Sequence, residues 1–189
     1  MNWGQVLLFL LDLIVTAVGL FIFGQHVWAL RGHFASTSMS GGARVISAGA
    51  LVTLLIMLVL LWTGEQPWLA QIAGLVLMGA SLMLFRAAVS ASAAARLRFA
   101  FDNALPEQLV TIGPYQKIRH PFYTSYLIYW AGWVLAVWNV WALLPWLVMA
   151  ALYTIAARHE EQLLTASGMG EAYASYRRRA GLFWPRLTQ

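Results

Sequence analysis

Long uninterrupted apolar runs leave this chain few ways to fold. Trp3 to Leu30, Ala43 to Trp62 and Trp68 to Ala88 each stay apolar for about twenty residues or more, and Phe122 to Ala157 does so for 36 residues. A helix needs roughly 20 such residues to cross the ~30 Å hydrocarbon core of a bilayer. A lone strand there would leave its backbone groups unsatisfied, so the spans are expected to be helical. The first run is too long and too early for a secretory apolar core and reads as a span. The fourth run would be about 54 Å long as a single helix, too long for one crossing. Within it, Trp138-Asn139-Val140-Trp141 offers a turn between interfacial aromatics, and Pro145 falls in the first turns of the helix that follows. The expected architecture is therefore an all-α integral membrane domain, 1–189. Its five transmembrane helices lie near 3–30, 43–62, 68–88, 122–138 and 140–157, the last two forming a tight hairpin.

Composition agrees. Apolar residues make up 61% of the chain and charged residues only 10%, against about 25% charged in soluble domains. That excludes a soluble monomer and a disordered chain alike. The absence of cysteine excludes a disulfide scaffold, a thiolate metal site and a cysteine nucleophile.

The charges test the number of spans. All 12 Lys and Arg residues fall in three places. Arg31 and Arg44 separate the first two spans. Arg86, Arg96, Arg98, Lys117 and Arg119 end or follow the third. Arg158, Arg177, Arg178, Arg179 and Arg186 follow the fifth. Five crossings put all three groups on one side, which the positive-inside rule makes cytoplasmic, with the N-terminus outside. The net charge of +5 is then a matter of topology, and nucleic acid is not an expected partner. Two polar segments, 91–121 and 158–189, lie on the cytoplasmic side. The second is expected to continue the fifth span to a stop near Gly168-Met169-Gly170 and then to form a short helix with Tyr173 and Tyr176.

These two segments hold the residues suited to chemistry. In the first, Arg119 and His120 precede Pro121, which fits the first turn of a helix because its missing N–H costs nothing there. They can be plain interfacial anchors, with Arg119 snorkelling. Beside an arginine at a positive helix end, His120 is expected to have a lowered pKa and to stay neutral. In the second, Glu160 and Glu161 lie at a helix C-terminus, the unfavourable end for anions, so a cation should offset them. About 100° apart on the helix, only one of them is expected to face the interior easily. Tyr173 and Tyr176 share a face, as a helix resting on headgroups would show, and Arg177-Arg178-Arg179 suits anionic lipid. Asp12, an acid inside the first span, has no assigned role. There is no GxGxxG, no HExxH and no paired histidine ligand set, so no metal site is expected.

The ordered set resembles the isoprenylcysteine carboxyl methyltransferase family, which belongs with the phospholipid methyltransferases. The motif LVTxGxYxxxRHPxY stands as Leu109, Val110, Thr111, Gly113, Tyr115, Arg119, His120, Pro121 and Tyr123. EExxL stands as Glu160, Glu161 and Leu164, and GxxYxxY as Gly170, Tyr173 and Tyr176, with Pro185 beyond. The resemblance implies S-adenosylmethionine as methyl donor, held without a Rossmann fold in a pocket of the cytoplasmic loop and C-terminal helices. The residues it implies are Gln108, Leu109, Val110, Tyr115, His120, Pro121, Phe122, Tyr123 and Glu160. Beside what it implies, Arg119 is the residue expected to orient a substrate carboxylate, with Arg158 as a second cation. The family's own arginine before the EE pair aligns with Ala156, two residues from Arg158. The acceptor is expected to be a lipid or another lipophilic molecule, most like the carboxylate of an isoprenylcysteine. Alternatives are a phospholipid amine or a lipophilic thiol, and, outside catalysis, a membrane scaffold or small transporter. For an amine, Glu161 or Tyr176 is the candidate base. The expected site is the inner, cytoplasmic membrane, with no obligate protein partner.

Overall fold

The computed structural model describes residues 3–32, 40–93 and 109–186. Among them there are helices and no strand. Six α-helices follow in order: α1 (Trp3–Gly32), α2 (Gly41–Thr63), α3 (Trp68–Ser92), α4 (Pro121–Val137), α5 (Leu143–Thr165) and α6 (Gly170–Arg179). Helix starts carry their expected signals. The Ser40 side chain accepts from the Ala43 N–H at 3.0 Å, Pro67 precedes α3, and Pro121 opens α4. Among the described residues, four helical segments are long and apolar enough to cross a membrane: Trp3–Ala29, Gly41–Thr63, Trp68–Ser92 and Val140–Thr165. The fifth expected span, α4, has 17 residues, about 26 Å of helix.

Helix α4 is nevertheless the centre of the bundle. Twelve of its 17 residues are buried, whereas α1 turns Leu7, Phe9, Leu10, Leu13, Ile14, Leu20 and Phe21 outward. An outward apolar face of that kind suits lipid rather than water. Small residues let α4 approach its neighbours closely, as helices do in lipid. At the α3–α4 crossing a Cβ on Gly74 would stand 2.5 Å from the Gly132 carbonyl oxygen. On the other side, a Cβ on Gly19 of α1 would run into the Trp133 ring. Hydrogen bonds join the same helices. Ser81 donates to the Ser125 carbonyl at 2.8 Å, Tyr129 to the Gly19 carbonyl at 2.9 Å, and Gln71 to Asp12 at 2.5 Å. Asp12 thus has a partner on α3.

The hairpin turns where expected. Trp138 adopts a left-handed conformation (φ 43°), and its N–H bonds the Leu135 carbonyl. Asn139 then caps the next turn by accepting from the Trp141 N–H at 3.0 Å. At the opposite end, α6 folds back over the start of α4. The Gly181 N–H donates to Lys117 (3.0 Å), Arg119 N–H to Gly181 (2.8 Å) and His120 N–H to Leu182 (3.2 Å). The Thr124 hydroxyl donates to the Phe183 carbonyl at 2.9 Å. The segment after α6 is thereby fastened to the first turn of α4.

Candidate active site

The fastening places four charged side chains together. Arg119, on the segment leading into α4, points across to α5, where its Nε lies 2.6 Å from Glu161 Oε1. Its Nη1 donates to the carbonyls of Ala180 and Arg177 at the C-terminus of α6, the end of a helix where a cation is stabilised. Both partners are buried, with side-chain exposures of 7% and 9%. A guanidinium with a planar fork is suited to joining three elements in this way.

His120 ends the extended segment and lies between the two glutamates. Its Nδ1 is 3.5 Å from Glu160 Oε2, and its Nε2 is 3.4 Å from Glu161 Oε1. Both carboxylates therefore face the cluster, against the expectation that only one would. The reason is geometric: one imidazole presents nitrogens on two edges and bridges the ~100° between successive side chains. The expected lowering of the His120 pKa is also reversed. Burial does pull it down, but Glu160 and Glu161, by hydrogen bonding and by charge, outweigh burial and hold it above the ordinary value. The expectation counted Arg119 and the helix end and lacked the two carboxylates, which arrive from 40 residues further on. Glu160 also accepts from the Tyr123 hydroxyl at 2.5 Å and stays partly open, with 30% of its side chain exposed.

Aromatic rings line the cluster. Tyr123 stacks on His120 (centroids 5.7 Å, planes 23° apart) and on Tyr153 of α5 (5.5 Å, 20°). Tyr126 packs on Tyr153 at 5.5 Å. Val110, Tyr115 and Phe122 form a second apolar group with Ala29, Phe85 and Ala88. Leu109 packs with Tyr173, Tyr176 and Ala180. The α6 tyrosines are not a surface face on headgroups: they turn inward. Tyr176 donates to the Tyr115 carbonyl at 2.7 Å. Burial, and then the neighbouring Glu161, push the Tyr173 phenol far up.

The structure thus gathers Leu109, Val110, Tyr115, Arg119, His120, Pro121, Phe122, Tyr123 and Glu160 at one end of the α4–α5 hairpin. Gln108 lies outside the described residues. Arg158 is not part of the cluster: it is exposed on α5, with no hydrogen bond or ion pair among the described residues. The physical reason is helical phase, since Tyr153, Ala156, Ala157 and Glu161 hold the buried face of α5. Ala156 is fully buried, leaving no room for a long side chain there. Sequence reasoning missed the part played by Tyr153. The spacing of 153, 157 and 161 was the available signal, two steps of i to i+4 on one face.

The described residues thus form a bundle of helices, four of its segments long and apolar enough to cross a membrane, with no nucleotide-binding α/β unit among them and with Arg119, His120, Glu160 and Glu161 gathered at one end of its central hairpin. The chain belongs to the phospholipid methyltransferase family, whose sequence model matches residues 69–171. This is the family of isoprenylcysteine carboxyl methyltransferase-like membrane methyltransferases. No curated protein matches the chain significantly. The matched stretch runs from the start of α3 to the start of α6, so it contains Arg119, His120, Glu160 and Glu161 but stops before Tyr173 and Tyr176.

Proposed function

We propose that this chain transfers a methyl group from S-adenosylmethionine to a lipophilic acceptor at the cytoplasmic face of a membrane. The observation that carries this reading is the meeting of Arg119-His120 with Glu160-Glu161 through a single imidazole, bounded by stacked tyrosines. Such a site suits the donor in two ways. Glu160 is a partly open carboxylate, placed to receive a cation, and the buried rings of Tyr115, Phe122 and Tyr123 give its surroundings the aromatic character that favours a sulfonium group. Leu109, Val110, Tyr115, His120, Pro121, Phe122, Tyr123 and Glu160 would hold the donor, joined by Gln108. When bound, S-adenosylmethionine supplies an electrophilic methyl group on a cationic sulfur.

The chain's own residues do the rest by positioning and by excluding water. Arg119, with Nε and Nη1 engaged, acts first as a positioning residue that sets Glu161 and α6. It turns to an acceptor carboxylate only with its remaining N–H groups. Arg158, exposed at the same end of α5, is a second cation for an anionic acceptor. A carboxylate acceptor of isoprenylcysteine type is already ionised and needs no base. A phospholipid amine must shed a proton, and neither expected base is suited to take it: despite burial, His120 and Arg119 hold the Glu161 carboxyl down at about 2, and Tyr176 is a phenol pushed up by burial whose hydroxyl already donates to Tyr115. The carboxylate acceptor is our first reading because it needs no base and Arg158 stands exposed at the same end of α5.

The same reading makes α4 the fourth of five crossings in an inner, cytoplasmic membrane, with the N-terminus outside. Its partner α5 is long enough to span, and the Trp138–Asn139 turn sends one back along the other. Because the chain has no cysteine, single cysteines at Trp138 and at Arg158 report topology without background. Labelling of both from one side would refute five crossings. Titration of S-adenosylmethionine into the detergent-solubilised protein tests the function. Binding that Glu160→Gln weakens is expected, and no heat at millimolar donor would end the proposal. Incubation with labelled donor and a membrane lipid extract then identifies the acceptor.

A further inference from the structure

Helix α6 has two faces with different occupants. Tyr173 and Tyr176 turn inward, while Glu171, Arg177, Arg178 and Arg179 are exposed. Beyond it, Arg186 is exposed and donates to the Arg178 carbonyl at 3.0 Å, and Trp184 is 64% exposed. Lys117 and Arg158 are exposed at the same end. Six cations therefore face outward beside a single exposed acid, Glu171, among the described residues of this end.

The depth of this patch follows from its attachments. The Phe183 carbonyl accepts from Thr124, and that of Leu182 from the His120 N–H, both on the first turn of a buried apolar helix. Trp184 is the next residue. With α4 as a crossing, as proposed above, a tryptophan held there lies at headgroup depth, where its ring is most favourably placed, and the arginines lie within reach of the same layer. Anionic headgroups attract each such cation within a Debye length.

We infer that the outer face of α6 and the Trp184–Arg186 segment dock on anionic lipid headgroups, and that this docking holds α6 closed over the Arg119–Glu161 pair. The coupling is built from shared residues. Arg177, whose side chain faces outward, contributes its backbone to the site: Arg119 donates to its carbonyl and to that of the nearby Ala180. On the inner face, Tyr176 is bonded to Tyr115. Lifting α6 from the lipid would loosen the clamp on Glu161 and the wall formed by Tyr115. The docking is independent of the methyltransferase reading, whereas its effect on donor affinity rests on it.

The experiment is amide hydrogen exchange of the full chain in nanodiscs of phosphatidylcholine, with and without added phosphatidylglycerol. Anionic lipid should slow exchange at residues 176–183 by about fivefold or more, and the triple variant R177Q/R178Q/R179Q should lose the difference. Equal exchange in the two lipids overturns the inference. So does a difference that the triple variant retains, or one that inorganic phosphate reproduces in phosphatidylcholine alone. Titration of S-adenosylmethionine in the same discs separates the two readings. No donor binding in either lipid, with the exchange difference intact, defeats the methyltransferase proposal and leaves the docking standing. Donor affinity that is equal in both lipids, with the exchange difference intact, overturns the coupling.

Discussion

The two ends of the α4–α5 hairpin are built from the same kinds of apolar helix and differ in what closes them. At the turn end, two residues reverse the chain. Trp138 and Trp141 are exposed, no charged residue lies between 138 and 144, and one amide cap suffices. At the open end the helices are joined by no loop. They are held by Arg119, His120, Glu160, Glu161 and the returning α6 segment, drawn from three different parts of the chain. A local turn needs only short-range hydrogen bonds. An end assembled from distant segments needs charges and rings that satisfy one another, and those groups are also what a ligand can use.

The sharpest break of this contrast is Arg119→Ala. It leaves Glu161 buried without its cation and α6 without its C-terminal donor, so a loss of about 3–5 kcal/mol is expected. Thermal unfolding in detergent measures it, and a variant as stable as wild type would show the open end to be held by something else. Gly74→Ala acts midway along the bundle. Its methyl group would meet Gly132 and Ala136, at an overpacking cost of about 1–3 kcal/mol, read from the same unfolding curves. Glu160→Gln should separate ligand from scaffold: donor affinity falls about tenfold or more while the unfolding temperature falls much less than in Arg119→Ala, because this side chain is partly open. Asn139→Ala tests the other end. Losing the cap costs about 1 kcal/mol, and donor affinity stays unchanged.

The smallest effect is a slope. His120 has a folded pKa above its unfolded value of about 6.5. Its protonation thus favours the folded state below that value, and the contribution is lost as pH rises through the higher folded pKa. Stability should therefore decline from near-neutral to alkaline pH, and His120→Asn should flatten that decline. A wild-type profile that rises over the same range would contradict the charge balance of the cluster.

Some of the open end was legible early. Arg119, His120, Pro121 and the Glu160-Glu161 pair carry a recognisable spacing, and proline marks the helix start by its own chemistry. The states of these residues were not legible. Whether one glutamate or both faced inward, and which way His120 titrated, depended on groups some 40 residues apart. The tyrosines of α6 misled for a related reason: an i, i+3 pair marks a face, and periodicity does not say whether that face meets lipid, water or protein.

Apolar run length and the clustering of cations are properties of the chain itself, because hydrocarbon thickness and backbone hydrogen bonding act on any segment regardless of its neighbours. They determined helices, the position of the hairpin turn and the end at which polar chemistry collects. Which helix is central, which arginine is clamped and which is exposed, and which carboxylate stays open were decided only by packing. Burial and pairing are relations between segments, and they have no value until the segments meet.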